Sequence, residues 1–344
     1  MDTQAIPLKT TAGRFAKAVG RFVRSEAGGK AKLMFAALVL LLLAANALNV
    51  VNSYVGRNFM TAIADRDMTG FTRQAVFYVA VFAASTIVAV FARFGEDRLA
   101  LLWRETLTRQ AVQSYVAGGA FGRHGAVNAI ANPDQRISED VRAFAVTTLS
   151  FILMALNSAI TIFAFSDVLW TISPLLFGVA VAYAVCGSIV TLKLGRPLIQ
   201  LNSDQLDKEA SFRSSLIHAR DQAETIGRER QQGTQTALLL EKLSDLVANF
   251  RRITSVNRNV GFFTTGYNWM IQIIPALIIA PAFIAGKIEF GVITQSAMVF
   301  ATLVAAFSLI VSQYQSLSNY AAVVARMSSL AEFLGERPES DAKP

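Results

Sequence analysis

The chain has 344 residues, of which 53% are hydrophobic and 16% charged, with a formal net charge of +8. Ordinary globular domains carry about 25% charged residues, so this composition excludes a disordered or collagen-like chain and points to a bilayer. One cysteine, Cys186, cannot form an internal disulfide, and two histidines, His124 and His218, leave almost no ligands for a structural zinc.

Residues 13–24 read as an amphipathic leader, with Phe15, Val19, Phe22 and Val23 on one face and Arg14, Lys17, Arg21 and Arg24 on the other. Such a helix lies along an anionic leaflet and anchors the chain there. A membrane-crossing helix needs about 20 mostly apolar residues. Six stretches qualify: Leu33–Val51, Ala75–Ala92, Phe144–Phe165, Ile172–Leu192, Asn268–Ala285 and Val292–Val311, none of which contains Asp, Glu, Lys or Arg. The basic leader, the first stretch and Ala45-Asn46-Ala47 also fit a signal peptide with its cleavage site. A leader of 32 residues and five further spans weigh against that alternative.

Lys and Arg near the spans set orientation. Alternate segments carry 27 of them on one side and four on the other (Arg57, Arg66, Arg73 and Lys287), with Arg93 at the boundary. Both termini are therefore expected in the cytoplasm. The far-side loops are short, and Asp167 to Thr171 reads as the tightest. The basic surplus orients helices; it does not form the basic face on a soluble domain that a nucleic-acid footprint needs.

Two cytoplasmic segments are too long to be simple connectors. Before the third span runs Asn132-Pro133-Asp134-Gln135-Arg136-Ile137-Ser138-Glu139-Asp140-Val141. Asn132 suits a helix N-cap, Pro133 the first helical position, and Asp134 the positive end of the dipole. Gln135 is placed to reach back as in a capping box. Ile137, Val141, Phe144 and Thr148 then keep one face into the span. That start leaves the charged surface of Arg136, Glu139 and Asp140 unexplained.

The second long segment, between the fourth and fifth spans, is also helical in pattern. Phe212, Leu216, Ala219, Ala223 and Ile226 form one apolar stripe, and Leu239, Leu243, Leu246 and Phe250 another. Gly227 and Gly233 bracket Arg228-Glu229-Arg230-Gln231-Gln232 as a break between two arms. At roughly 1.5 Å per residue, arms of about 30 residues reach about 45 Å. Pro197 is expected to kink the fourth helix as it leaves the membrane.

Polar residues inside the spans are candidates for a substrate cavity: Asn46, Asn49 and Asn52 on the first helix, Asn157 and Thr161 on the third, Asn268 and Gln272 on the fifth, Gln295 with Gln313 and Asn319 along the sixth. Amides in a bilayer either bind helices together or line a cavity. Both readings stay open, and the Asn46–Asn52 stripe is the best candidate for lining. Cys186, Gly178, Gly187 and Ser188 on the fourth helix read as close-packing positions.

Six spans, cytoplasmic ends and two long helical arms resemble the membrane domain of an exporter-type ABC transporter (ABC transmembrane type-1). Asn132-Pro133-Asp134-Gln135-Arg136-Ile137 with Glu139-Asp140 is similar to the signature of one branch, which holds the bacterial SbmA/BacA-like and the peroxisomal fatty-acyl transporters. Gly195-Arg196-Pro197-Leu198, Asn202, Gln205, Glu209, Phe212-Arg213 and Arg220 to Glu224 match it again. So do Gly291-Val292-Ile293-Thr294-Gln295 and Arg326-Met327-Ser328-Ser329-Leu330 with Phe333-Leu334.

The resemblance implies an all-α membrane fold: a cytoplasmic leader (1–30), a six-helix transmembrane domain (31–335) and a tail (336–344) where a linker to an ATPase domain would begin. It implies a homodimer or heterodimer of membrane domains in a bacterial inner membrane, enclosing a central cavity. It also implies an ABC ATPase partner that carries ATP and Mg, with no cofactor, metal or catalytic residue in this chain. Coupling helices are expected in Gly122–Asn132 and Ile226–Gln235, with Arg123, Asn132, Asp134, Arg136, Arg228, Glu229 and Arg230 as the coupling residues. The branch usually continues Ala223-Glu224 with an apolar-aromatic-Gly-Glu run, where this chain reads Thr225-Ile226-Gly227-Arg228-Glu229-Arg230.

The expected function is the permease half of a transporter for a polar or amphipathic solute, whether peptide-like, corrinoid or acyl. The sequence contains no G-x-x-x-x-G-K-[ST] phosphate loop. The ATPase would then be a separate subunit, or a part fused beyond this sequence. An SbmA-like proton-driven transporter is the alternative. It is disfavoured because such coupling uses a carboxylate or His within the membrane, while Asp167 and Glu289 sit at the far side and Glu241 and Asp245 in an arm. A non-transporting scaffold is the remaining reading.

Overall fold

The computed structural model describes residues 28–117, 135–221 and 232–313, together with 316, 320, 323, 324, 326, 327 and 330. The elements in order are α1 (Gly28–Ala64), α2 (Met68–Ala117), a π-helical turn (Arg136–Asp140) that runs into α3 (Val141–Ile172), α4 (Pro174–Asp221), α5 (Gln232–Ile284), α6 (Phe290–Phe307) and the short α7 (Leu309–Ser312). Among the described residues, six helices are long and apolar enough to cross a membrane. The expected spans fall on them, although the sixth overruns the end of α6 at Phe307.

Among the described residues, the three tight connections lie at one end of the bundle: residues 65–67, Ser173 and residues 285–289. This is the loop end. At the opposite, arm end, α2, α4 and α5 extend far past what a crossing requires, with 50, 48 and 53 residues against the roughly 20 that suffice.

The short connections follow from local chemistry. Asp67 Oδ1 accepts the Thr69 N–H at 3.1 Å and caps the start of α2. Ser173 is extended, and its hydroxyl accepts the Leu176 N–H at 3.3 Å with Pro174 in the first helical position. That cap corrects the expected turn at Asp167 to Thr171. Those residues remain helical, and the Thr171 hydroxyl donates to the Asp167 carbonyl at 2.9 Å. Gly286 takes φ +70° in the α5–α6 turn, a conformation glycine adopts without steric cost.

The helix α6 is the hub, in contact with α1, α3, α4 and α5. Around it Phe165 and Leu169 of α3, Leu176 and Ala180 of α4, Ile279 of α5, and Val299, Phe300 and Leu303 form the loop-end core. A second core nearer the arm end joins Leu38 of α1, Leu99 and Trp103 of α2, and Phe144 and Leu149 of α3 with Tyr320 and Val324. Ile137, Val141, Phe144 and Thr148 are all buried, as their spacing leads one to expect.

Several local expectations change. The Gln135 amide does not reach back; it donates forward to Glu139 Oε2 at 3.1 Å, the i, i+4 neighbour on a helical surface. Pro197 lies inside α4, where the kink is expected. Gly187 does pack closely, since a Cβ there would overlap the Tyr267 ring, but Gly178 faces open space and Cys186 is exposed. Residues 1–27 of the leader, His124, the coupling positions Arg123, Asn132, Asp134, Arg228, Glu229 and Arg230, Asn319, and the tail 336–344 lie outside the described residues, while residues 28–30 already belong to α1.

Candidate functional site

A polar seam runs along α1 from mid-span to the loop end. Asn46 is buried at 3% exposure. Its Nδ2 donates to its own helix at Leu42 O and across to Asn157 Oδ1 of α3, both at 2.9 Å, while Oδ1 accepts the Thr161 hydroxyl at 2.8 Å. Three of the candidate residues thus form one cluster between α1 and α3.

One helical repeat further along, Ser53 accepts the Gln295 amide of α6 at 3.2 Å, and both are buried. At the loop end the Arg57 guanidinium pairs with Glu289 at 3.1 Å. The Gly291 N–H donates to Thr61 Oγ1 at 3.1 Å. A Cβ on Gly291 would overlap the Arg57 carbonyl oxygen. Glycine is therefore the residue that lets α6 start against the α1 backbone, which gives the glycine of Gly291-Val292-Ile293-Thr294-Gln295 a physical reason.

The remaining candidates are not gathered into this seam. Asn49, Asn268 and Gln272 are exposed. Asn52 is half-buried, with Oδ1 enclosed. Asn46, Asn49 and Asn52 do not share a face as closely as a three-residue spacing suggests. At 100° per residue, two steps of three turn by about 120° in total, whereas the seven-residue step to Ser53 turns by only about 20°.

The α4–α5 pair is fixed differently. Tyr183 and Tyr267 stack at 4.2 Å, and each hydroxyl donates to the other's carbonyl, at 2.8 and 3.2 Å. Toward the arms, buried Asn249 donates to Leu201 O and Gln205 Oε1, both at 2.9 Å, and Gln205 donates to Glu209 at 3.1 Å. The apolar stripes of the arms are covered in part: Leu216, Leu243 and Phe250 are exposed, while Phe212, Ala219, Leu239 and Leu246 are half-buried.

At the arm end, Arg326 donates to both carboxylate oxygens of Asp140, at 2.8 and 3.0 Å. Arg136 donates to the Arg326 carbonyl at 3.4 Å. One carboxylate was missed by hydropathy. Glu96 of α2 accepts the Ser150 hydroxyl at 2.6 Å, and Ser150 lies within the apolar stretch of α3. A window that ends the second span at Ala92 hides a helix that continues to Ala117. Among the described residues, no group of His, Cys, Asp and Glu could hold a metal ion.

Six crossing helices with long helical extensions at one end define an exporter-type ABC transporter membrane domain. The family described as ABC transporter transmembrane region 2 matches residues 21–284, and the chain belongs to it. It is similar to the chloroplastic ABC transporter D family member 2 of Arabidopsis thaliana, with 36% identity over 96% of this chain and 47% of that one. An uncharacterised ABC transporter ATP-binding protein of Synechocystis is 34% identical over 90% of this chain and 48% of its own length. The human lysosomal cobalamin transporter ABCD4 is 22% identical over 88% of this chain and 51% of its own. The chain spans about half the length of the curated relatives it matches.

Proposed function

We propose that this chain is the membrane half of an ATP-driven transporter that works as a dimer of such domains, with its arm end in the cytoplasm of a bacterial inner membrane. One observation carries the reading: α4 and α5 run past the lipid while holding each other through Gln205 and Asn249, and Leu216, Leu243 and Phe250 of their apolar stripes remain exposed. Extensions of this shape present a surface for ATPase domains at a distance from the bilayer. ATP hydrolysis on those domains supplies the energy, and this chain's residues shape and gate the path.

Arg136, with Arg123, Asn132, Asp134, Arg228, Glu229 and Arg230, serves the ATPase contact. Lining of the solute path falls first to the exposed amides Asn49, Asn268 and Gln272, while Asn46, Thr161 and Gln295 hold helices together. An amide-lined path without charges suits a polar or amphipathic solute. The branch resemblance and the relative named as a cobalamin transporter make peptide-like, corrinoid and acyl compounds the classes to test.

The test reconstitutes the chain with an ATPase partner in vesicles and measures hydrolysis and solute uptake across those classes. Stimulated hydrolysis with uptake is the expected result. A flat response to all three overturns the reading in favour of a scaffold. A second reading, proton-driven transport, draws support from Glu96 beside Ser150. Uptake that stops when an ionophore collapses the proton gradient, with ATP present, would favour it.

A further inference from the structure

We propose that Asp140 and Arg326 form a clasp that makes the base of α3 and the chain leaving α6 move as one body, so that displacement of either end is carried to the other. The inference rests on the transporter reading for its use, though not for its geometry. The two residues are 186 positions apart and meet through a bidentate pair. Such forked, charge-assisted bonds fix angle as well as distance. The Asp140 side chain is 13% exposed and that of Arg326 45%, so the carboxylate end of the pair is sheltered while the guanidinium reaches the surface.

Three further features surround the pair. Arg136 bonds the carbonyl of Arg326 itself, so each end of the clasp is gripped twice. On its apolar side, Ala111 of α2, Ile137, Val141 and Leu330 form a small core, with Leu107, Tyr115 and Met327 packed against it. The backbone that presents Asp140 is the π-helical turn Arg136–Asp140. Single π turns inside α-helices are uncommon and concentrate at functional sites. Here the wider turn carries both residues that hold Arg326. This accounts for the charged surface of Arg136 and Asp140, which a plain helix start leaves unexplained.

The position of the clasp gives it a role. Residues 136–140 open the helix that follows one candidate coupling segment, and Arg326, Met327 and Leu330 follow the hub helix in sequence. A joint at this point couples the hub to the arm end.

The test compares wild type with Arg326→Gln, Arg326→Lys and Asp140→Asn, each checked for folding by its thermal midpoint. Amide hydrogen exchange is followed in 136–141 and in 323–330. Arg326→Gln is expected to speed exchange at least tenfold in both segments, Asp140→Asn likewise in both, and Arg326→Lys less. Faster exchange only in the segment that carries the substitution, or no change, overturns the clasp. In the assembled transporter, solute moved per ATP hydrolysed is expected to fall at least fivefold in Arg326→Gln, with Arg326→Lys in between. An unchanged ratio despite faster exchange overturns the coupling role. If the wild-type assembly neither hydrolyses ATP nor transports, the transporter reading and the coupling role fail together, and the exchange result alone decides whether the ends are joined.

Discussion

Replacing Asn46 by leucine isolates what the polar seam contributes. The two side chains are similar in size, so the change removes hydrogen bonds and opens little cavity. In lipid there is also no water-driven gain from the added apolar surface, because the surroundings are as apolar as leucine. Asn46 makes two interhelical bonds, to Asn157 and from Thr161. Interhelical bonds of this kind average about 0.6 kcal/mol and reach about 1.7 kcal/mol. Asn46→Leu is therefore expected to destabilise the bundle by roughly 1 to 3 kcal/mol.

The two bonds should not be equal. Thr161 is buried, whereas Asn157 stands exposed, so the bond to Thr161 is the better shielded of the two. A double-mutant cycle of Asn46→Leu with Thr161→Val should give a coupling of about 1 kcal/mol, larger than the cycle with Asn157→Leu. The assay is equilibrium unfolding of the detergent-solubilised protein by titration with a denaturing detergent, read by circular dichroism. Independent sites add to within about 0.3 to 0.5 kcal/mol. A coupling below that band for Asn46 with Thr161, or a larger one for Asn157, refutes the assignment of this cluster as a buried tie.

Other substitutions separate steric from polar contributions. Gly291→Ala puts a methyl against the Arg57 carbonyl and should cost about 1 to 3 kcal/mol as overpacking. Glu289→Gln breaks a partly exposed ion pair and should cost under about 1 kcal/mol; the same unfolding titration ranks the two, and the reverse order refutes the close-approach argument. Gly187→Val drives a side chain into the Tyr267 ring and should unseat the stack on Tyr183, seen as a lowered thermal midpoint and altered near-ultraviolet circular dichroism. Asn49→Leu removes an exposed amide and should leave stability unchanged while altering the rate or selectivity of transport; identical uptake of every solute removes Asn49 from the path.

The six crossings were legible because a span imposes one gross property, a run of apolar residues, on a stretch of fixed length. The buried face of Ile137, Val141, Phe144 and Thr148 was legible because its spacing follows the helix. What escaped depends on more than one helix. Glu96 has an ordinary polar sequence context and becomes interesting only when α3 brings Ser150 to it. The turn at Ser173 was misplaced because Asp167 and Thr171 look like loop residues, yet a hydroxyl capping Leu176 beside Pro174 decides where α3 ends. The Asn46–Asn52 stripe was drawn at a three-residue spacing, while the face that meets α3 and α6 repeats nearer to seven, through Leu38, Asn46 and Ser53.

Polar and apolar side chains exchange their usual tasks along this molecule. Within the lipid, Asn46, Thr161, Ser53 and Gln295 add hydrogen-bonded ties to the close packing of the two apolar cores, because lipid supplies no hydrophobic drive for apolar side chains to leave it. Beyond the lipid the pattern inverts. Leu216 lies about 36 Å along α4 from Leu192, where the apolar stretch ends, and Phe250 about 27 Å along α5 before Asn268. At such distances lipid covers neither. Both are exposed, while polar Gln205 and Asn249 fill the contact between the two helices. An apolar stripe at helical spacing ordinarily marks the face turned toward a core. Here amides share the inward positions with apolar residues such as Ile253, Phe212 and Leu246, while Leu216, Leu243 and Phe250 of the same stripes stay exposed. Surface of that kind marks an interaction site when it is contiguous and lies outside the membrane. The arms are thus tied by polar bonds beside apolar packing, which leaves part of their apolar surface, at Leu216, Leu243 and Phe250, for a partner.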